Sequence, residues 1–439
     1  MPSDLLIRGA SVVLPGVGPV TADVAISGET IEAIGPELPA AREEIDARGL
    51  HLLPGVIDAH VHFNEPGRTD WEGWDTGTRA LAAGGATACI EMPLNAHPPT
   101  TDAAAFDAKV VAASASAHVD FALWGGLIAG ARLEELAERG VVGFKAFMCD
   151  SGIEEFPAAD PDTLGDGMRR AAKLGLPVAV HAESPARLKP PAGTTWRDFV
   201  ASRPVEAELE AIEQALALAR ETGCALHVVH VSSGEGVELV ARARDVDATC
   251  ETCPHYLTLS EDDLETLGTR AKCAPPLRPA HEREALWTHL AAGRIKLVAS
   301  DHSPCPPAMK DGAFTEAWGG IAGCQSLLQL VLERLPPAAA AQLTSAGVAE
   351  RFKLPKARLE PGADADLVLI DLRERHAPEL LDRHRLSPFA GRPLKGRVVR
   401  TLVRGTTVYR DGRIVAEPLG RLLKPKGPAG ATCASPPDR

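Results

Sequence analysis

Two hydrophobic patterns alternate along the middle of the chain. Apolar, β-type runs alternate with runs rich in Ala, Leu, Glu and Arg, where apolar residues recur at helical spacing, as in "EAELEAIEQALALARETG". The eight β-type runs are "GVIDAHVHF", "GATACIEMP", "VDFALWGGL", "VVGFKAFM", "LPVAVHAES", "ALHVVHVSS", "DATCETCPHYLTL" and "RIKLVASDHSP". Eight alternating units predict an α/β fold, specifically a TIM-like (β/α)8 barrel over residues 54–354. A doubly wound open sheet produces the same alternation and stays open as an alternative.

The two ends of the chain carry a different pattern. Residues 1–53 contain short β-rich runs broken by Gly and Pro, and "GADADLVLIDL" and "GRVVRTLVRGTTVYRDGRIV" repeat this style near the other end. Because chain ends often lie close together, we predict one small β-sandwich formed by residues 1–53 and 355–439. The final stretch "KPKGPAGATCASPPDR" is rich in Pro, Gly and Ser, which predicts a disordered tail.

Six ionisable residues occupy similar places in the predicted fold, because each lies at or near the end of a β-type run. They are His60, His62, Lys145, His181, His230 and Asp301. The C-terminal ends of the strands form the active-site mouth of a (β/α)8 barrel, so the six are expected to converge there. A single buried histidine is more often a hydrogen-bonded core residue than a ligand. The joint placement of the set favours a functional site.

Four histidines and one aspartate form a nitrogen-rich donor set that suits zinc or a similar transition metal. Five ligands are crowded for one tetrahedral ion and suit two ions, provided that a further group bridges them. Lys145 lies between the apolar segments "VVGF" and "AFM", and burial there lowers the pKa of its amine. A neutral amine can capture carbon dioxide as a carbamate whose two oxygens reach both metals. We therefore predict two divalent ions (zinc, with cobalt, manganese and iron as alternatives) and a carbamate on Lys145. A lysine that extends to solvent is the alternative.

The remaining histidines and short motifs carry weaker signals. His227 is expected to be a core histidine, whereas His255 and His302 lie near the mouth and their roles stay open. The "CETC" segment at Cys250 and Cys253 has no second cysteine pair, so neither a metal nor a redox role is expected. The chain has no G-x-S-x-G sequence, which argues against a serine hydrolase.

Composition narrows the class of protein. The 439 residues include 46 Lys and Arg against 59 Asp and Glu, a formal net charge of −13, which argues against nucleic-acid binding. The 9 cysteines are scattered singly, as expected for a reducing, cytoplasmic location. The first residues lack the basic region of a signal peptide, and no uncharged apolar run of about 18 residues predicts a membrane span.

Longer segments around these residues are distinctive, among them "HVHFNEPGRTDWEGWDTGTRALAAGG", "GFKAFMCDSGI", "KCAPPLR" and "ASDHSPC". On these segments the chain resembles the cyclic amidohydrolases of the amidohydrolase superfamily: dihydroorotases, hydantoinases and, most closely, allantoinases. The likeness extends over nearly the whole chain. It implies that His60, His62 and Asp301 hold the more buried metal, that His181 and His230 hold the more exposed one, and that Lys145 is the carboxylated bridge between them.

The resemblance also implies an activity. It implies hydrolysis of a cyclic amide by activated water, with Asp301 as the general base, and opening of the hydantoin ring of allantoin to give allantoate. Hydantoinase and dihydroorotase activities stay open as alternatives. A mononuclear deaminase would not need Lys145, and a catalytically inactive protein of this fold should have lost ligands. We also expect a homo-oligomer, for instance a tetramer, that acts on a small cyclic ureide.

Substrate preference is expected to depend on the residue two positions after His62. In dihydroorotases the corresponding pattern resembles His-x-His-x-Arg, and its arginine binds the carboxylate of the substrate. Here the position is Asn64, which strand alternation places on the same face as the two histidines. A neutral amide suits an uncharged ureide. Asn95 and Ser303 are predicted as further substrate contacts, and Arg68 is the alternative contact for a carboxylate.

Overall fold

The structure, a computed structural model, describes residues 2–15 and 17–426. The strands of this part are β1 (Leu5–Leu14), β2 (Gly18–Ser27), β3 (Thr30–Gly35), β4 (Glu43–Asp46), β5 (His51–Pro54), β6 (Val56–Val61), β7 (Ala86–Glu91), β8 (Asp120–Leu123), β9 (Gly125–Gly126), β10 (Phe144–Phe147), β11 (Val178–His181), β12 (Leu226–Val228), β13 (Ala248–Thr252), β14 (Leu297–Val298), β15 (Leu367–His376), β16 (Leu394–Val403), β17 (Thr406–Arg410) and β18 (Arg413–Ile414). Its α-helices are α1 (Trp74–Ala83), α2 (Ala103–Ser116), α3 (Leu133–Arg139), α4 (Pro161–Leu174), α5 (Trp196–Ser202), α6 (Val205–Thr222), α7 (Gly234–Arg242), α8 (Pro254–Thr258), α9 (Leu264–Leu267), α10 (Ala280–Ala291), α11 (Leu327–Leu332), α12 (Pro337–Ala341) and α13 (Gly347–Arg351).

All eight predicted β-type runs contain a strand, from β6 to β14, with the third run divided into β8 and β9. The seventh run is strand only in its first half, because β13 ends at Thr252 and α8 begins at Pro254. Proline lacks a backbone N–H and is favoured in the first turn of a helix, where that donor would be unpaired. The predicted disordered tail falls mostly on residues 427–439, which lie outside the described residues.

Local signals fix the ends of the helices between these strands. The side chain of Asp160 accepts a hydrogen bond from the backbone N–H of Thr163 and so caps the start of α4, where Pro161 is the first residue. The helix ends at Gly175, which adopts a left-handed conformation with φ of 68°. None of the helices in the described ranges is long and apolar enough to cross a membrane.

The strands of the middle region form two parallel sheets. One has the order β14-β13-β12-β11-β10-β9 and the other the order β6-β7-β8. Backbone hydrogen bonds connect them at both edges: His62 N–H donates to the carbonyl of His302 at 2.8 Å, and Val142 N–H donates to that of Leu123 at 3.0 Å. The C-terminal ends of parallel strands therefore lie on one side of the molecule.

Strands from both ends of the chain belong to one nine-stranded sheet. Its order is β18-β17-β16-β15-β5-β1-β2-β3, and β4 pairs with β1 off this path. The N-terminal and C-terminal parts are joined where β5 runs antiparallel to β15, with Leu53 opposite Val368. Strands from the two ends of the chain are therefore paired in one sheet, and the β-sandwich stays a prediction.

The middle strands are apolar on both faces because both faces are buried. On β11, Val178 and Val180 pack in the large cluster with the helices, whereas Ala179 packs in a second cluster with residues of the other parallel strands. On β10, Phe144 and Ala146 join the large cluster. Parallel sheets covered on both faces have such continuous apolar runs. An ionisable side chain on these strands is therefore taken out of water at a cost and needs a partner.

Candidate active site

The predicted ligands lie at the C-terminal ends of the parallel strands. His181 is the last residue of β11, and His60 is the residue before the last one of β6. His230 and Asp301 follow the ends of β12 and β14 and adopt left-handed conformations, with φ of 41° and 46°. Residues other than glycine rarely adopt this conformation, and such strain concentrates at functional sites. Lys145 lies within β10, between the large-cluster residues Phe144 and Ala146, so its side chain is on the opposite face of the strand.

Three of the predicted ligands converge on one point. The Nε2 atoms of His60 and His62 lie 3.2 and 3.5 Å from the same oxygen of Asp301. Burial raises the pKa of the Asp301 carboxyl, but the neighbouring His60 and the hydrogen bond from His62 outweigh it and hold that pKa well below its usual value. Burial lowers the pKa of His62 to about 4. A carboxylate and at least one neutral imidazole therefore face one another.

The other two histidines form a pair. Nδ1 of His181 lies 3.0 Å from Nε2 of His230, and the ring centroids are 4.6 Å apart. Burial lowers the pKa of both rings, which keeps them neutral and able to donate a lone pair. Nδ1 of His230 is buried and has no hydrogen-bond partner in the described part of the chain. The ring centroids of His60 and His230 are 5.6 Å apart, so the histidine pair adjoins the group formed by His60, His62 and Asp301.

Lys145 is fully buried beside these histidines. Its Nζ donates to the carbonyl of Ala146 at 3.2 Å and lies 4.0 Å from the centroid of the Phe147 ring, which stacks on His181 at 4.5 Å. Burial lowers the pKa of Lys145 to about 7, against the opposing effect of Asp301. A neutral amine is thus readily available at this position, as the carbamate prediction requires.

Two buried glutamates that the sequence analysis missed orient the histidines. Glu251 accepts a hydrogen bond from Nδ1 of His60 at 2.6 Å and lies 3.1 Å from Nε2 of His227. Glu183 accepts from Nε2 of His181 at 2.7 Å and pairs with Arg203. Partners of this kind fix the tautomer and orientation of ligand histidines. The only sequence signal was a charged residue inside an otherwise β-type or apolar run, in "ATCETC" and "VHAES".

A cavity of about 350 Å³ opens above the cluster, and two of the three predicted substrate contacts line it. Asn95 and Ser303 are among its lining residues, and the side-chain amide of Asn95 lies 3.3 Å from Nδ1 of His62. Asn64 is fully buried, outside the described lining of the cavity, and neither of its amide atoms has a hydrogen-bond partner in residues 2–15 and 17–426. Strand alternation does not extend to Asn64, because β6 ends at Val61 and Asn64 has φ of 65°.

The remaining candidates have structural partners. Arg68 donates to the carbonyl of Asn95 at 2.9 Å and pairs with Glu155 at 3.0 Å, and it is not one of the described residues lining the cavity. His227 is the hydrogen-bonded core histidine that the sequence predicts. His302 is buried 3.5 Å from Glu72, away from the cavity lining as described.

The donor set fits divalent metal ions. Imidazole and carboxylate are preferred ligands of zinc and similar ions, and three of the donor atoms lie within 4.8 Å of one another. The buried nitrogen of His230 that has no partner in the described part of the chain is a further donor atom, and burial keeps the ring neutral by lowering its pKa. The arrangement can hold metal, orient water and place a carboxylate beside it.

Comparisons with known proteins identify the family to which the sequence and the fold are similar. The model of the amidohydrolase family matches residues 51–408. The allantoinase of Rubrobacter xylanophilus is 56% identical to the chain, covering 97% of the chain and 99% of that protein. The allantoinases of Solibacter usitatus and Deinococcus radiodurans are 52% and 48% identical, covering 98% and 97% of the chain and 99% and 100% of their own lengths.

Solved structures with the same fold are hydantoinases and dihydropyrimidinases. L-hydantoinase (dihydropyrimidinase) from Arthrobacter aurescens superimposes with a TM-score of 0.91 at 33% identity, covering 96% of the chain and 100% of that protein. Dihydropyrimidinase from Brevibacillus agri gives 0.88 at 31% identity, covering 98% and 99%. The fold and the family are thus supported independently of the site geometry.

Proposed function

The chain belongs to the amidohydrolase family and is a cyclic amidohydrolase, and from this premise we propose that it hydrolyses allantoin to allantoate. The observation that supports this substrate is the difference in sequence identity between two groups of relatives. The three allantoinases compared above are 48–56% identical over nearly their whole lengths, whereas the two solved enzymes compared above, a hydantoinase and a dihydropyrimidinase, are 31–33% identical. Hydantoinase activity is the second candidate, because those enzymes share the fold.

The proposed metal ligands follow the geometry of the two clusters. His60, His62 and Asp301 would hold one divalent ion, and His181 and His230 would hold the second. Lys145, as a carbamate, would supply the anionic group shared by the two sites. Support comes from the convergence of the first three donors, the 3.0 Å approach of the histidine pair and the lowered pKa of the lysine. Zinc suits this donor set, and cobalt, manganese and iron are alternatives.

Bound metal would supply water whose pKa is lowered from 15.7 to roughly 7 and would polarise the amide carbonyl. The chain's own groups then have to move protons. The Asp301 carboxylate, ionised because its pKa is held low, accepts a proton from water and returns it to the ring nitrogen as the C–N bond breaks. Glu251 and Glu183 hold the histidines in place during this transfer. Opening of the hydantoin ring leaves a carboxylate on allantoate.

Two neutral side chains at the cavity suit an uncharged ring. Asn95 and Ser303 are the proposed neutral contacts, and Asn95 also approaches His62. Dihydroorotate carries a carboxylate, and two candidate arginines are already engaged: Arg68 pairs with Glu155, and Arg203, which lines the cavity, pairs with Glu183. These pairings argue against dihydroorotase activity. Asn64, buried behind the cavity, supports the site through packing in this proposal.

The proposal includes the architecture around the site. Hydrogen bonds at both edges of the two parallel sheets support a closed (β/α)8 barrel at residues 54–354, with residues 1–53 and 355–439 in a β-sandwich. A homo-oligomer, for instance a tetramer, stays a prediction. The cytoplasmic location also stays a prediction, and the eight free cysteines of the described part are consistent with a reducing compartment.

A substrate panel on metal-reconstituted protein tests the function. Allantoin, unsubstituted hydantoin, 5-substituted hydantoins and dihydroorotate are compared by kcat/KM, with the apoprotein as control. We expect the highest kcat/KM with allantoin and little or no turnover of dihydroorotate. Preference for an alkyl or aryl hydantoin over allantoin would assign the chain to the hydantoinases instead.

A further inference from the structure

Two buried lysines fasten the segment that follows Ser303 and covers part of the cavity. One of them, Lys310, has an acceptor for each of its three N–H donors. Its Nζ donates to the carbonyls of Thr269, Trp318 and Gly320 at 2.9, 2.8 and 2.6 Å. Lys310 is not among the described residues that line the cavity. Its role is accounted for by these three bonds.

The other lysine, Lys272, has only two such acceptors. Its Nζ donates to the carbonyls of Thr315 and Ala317 at 2.9 and 2.6 Å, and the third N–H has no acceptor in the part of the chain that the structure describes. The residue is only 4% exposed. The charged groups that act on it are cations, and together with burial they lower its pKa to about 8. A buried donor without an acceptor costs free energy unless a ligand supplies one.

Lys272 belongs to the wall of the cavity above the metal-ligand cluster. It lines the cavity together with Phe199 and Ala317, and its Nζ lies 4.5 Å from the centroid of the Phe199 ring. The amide that is hydrolysed has to lie at His60, His62 and Asp301, because the catalytic groups are there. The substituent on the substrate ring is left to contact other parts of the wall, such as the one that contains Lys272.

Resting on the proposed function, we propose that Lys272 is a specificity-determining residue whose third N–H donates to the carbonyl oxygen of the ureido group on C5 of allantoin. A urea carbonyl is a strong, uncharged acceptor. An alkyl or aryl group at C5 would leave this third N–H without an acceptor, so the same contact would disfavour hydantoins with apolar substituents. Discrimination by a buried polar group that only the correct ligand satisfies is a strong form of specificity.

The experiment compares Lys272→Met with Lys310→Met in the metal-loaded enzyme. Both substitutions keep side-chain volume and remove donors from carbonyls of the same segment, but only Lys272 lines the cavity. We measure kcat/KM for allantoin and the constant with which unsubstituted hydantoin competes, together with metal content and thermal unfolding. Loss of a hydrogen bond from a charged group predicts a decrease of ~10- to 100-fold in kcat/KM for allantoin in Lys272→Met, with the hydantoin constant unchanged. Lys310→Met is expected to change kcat/KM for allantoin and the competition constant of hydantoin by a similar factor.

Three results would overturn the inference. They are wild-type kcat/KM in Lys272→Met, equal losses for allantoin and hydantoin, and the same discrimination in Lys310→Met. If the wild type turned over dihydroorotate and Lys272→Met selectively lost that activity, the inference would also be overturned, because the ammonium would then be assigned to a carboxylate. Absence of allantoin turnover in the metal-loaded wild type would instead refute the proposed function, so the two failures are distinguishable.

Discussion

Replacing Glu251 by glutamine tests whether a buried carboxylate controls the metal ligands. Both of its oxygens are engaged, one by His60 at 2.6 Å and the other by His227 at 3.1 Å. The pKa of Glu251 is lowered to about 2, because the neighbouring His60 and the hydrogen bonds from both histidines outweigh burial, so it is ionised. Glutamine keeps the shape but offers one acceptor oxygen for two histidines and carries no charge.

The magnitude follows from the kind of bond that is lost. A hydrogen bond to a charged group contributes ~1.5–3 kcal/mol and a neutral one ~1 kcal/mol, so the substitution weakens the hold on His60 by about 0.5–2 kcal/mol. Since about 1.36 kcal/mol corresponds to a factor of ten, metal affinity should fall by roughly 2- to 30-fold. Losses of about 10- to 100-fold are typical when such a partner of a ligand histidine is removed.

The assay is a titration of the apoprotein with zinc against a chromophoric chelator of known affinity. Glu238→Gln is the matched control, because it removes a carboxylate that pairs with Arg242 and Arg294 at the surface, away from the histidines. Thermal unfolding of both apoproteins checks that the fold is kept. Wild-type zinc affinity in Glu251→Gln would refute the reasoning that this carboxylate positions His60.

Three further outcomes are expected. Removal of metal by a chelator should abolish activity, and reconstitution should restore it at about two ions per chain; full activity with one tightly bound ion by elemental analysis would contradict the two-metal arrangement. Lys145→Ala should lose metal and activity together, and a short-chain carboxylic acid should restore part of both by supplying a bridging anion. Full activity of Lys145→Ala without the added acid would exclude a bridging role of Lys145. Asp301→Asn should lower kcat by ~10²- to 10⁴-fold because the amide cannot carry the proton; an unchanged kcat in protein of measured metal content would place the proton acceptor elsewhere.

The sequence alone determined the order of the elements. Eight β-type runs became strands because continuous apolar runs between helical ones identify strands that are buried on both faces, and this pattern is local. The sequence predicted the positions of His60 and His181 at strand ends for the same reason. The similar patterns at the two ends of the chain predicted that they belong together, whereas the pairing of β5 with β15 is visible only in the structure.

Asn64 shows where local periodicity stops being informative. Alternation places it beside His60 and His62, but the strand ends at Val61 and the backbone turns through a left-handed residue. The side chain is therefore buried outside the described lining of the cavity. A strand end depends on which backbone groups find partners in neighbouring strands, and that is settled by the sheet as a whole.

The partners of the ligands were decided only by the tertiary structure. Glu251 bonds to His60 across 191 positions of sequence, and no pattern along the chain relates the two. Lys272 and Lys310 are alike as residues in polar, loop-rich sequence, but in the structure two carbonyls surround the first ammonium and three the second, and of the two only Lys272 lines the cavity. Hydrophobic periodicity is a property of neighbouring residues, whereas the pairing of buried charges depends on which distant segments are packed against each other. The chain's pattern thus specifies strands, helices and the side of the sheet where ligands gather, and packing specifies which partners hold them there.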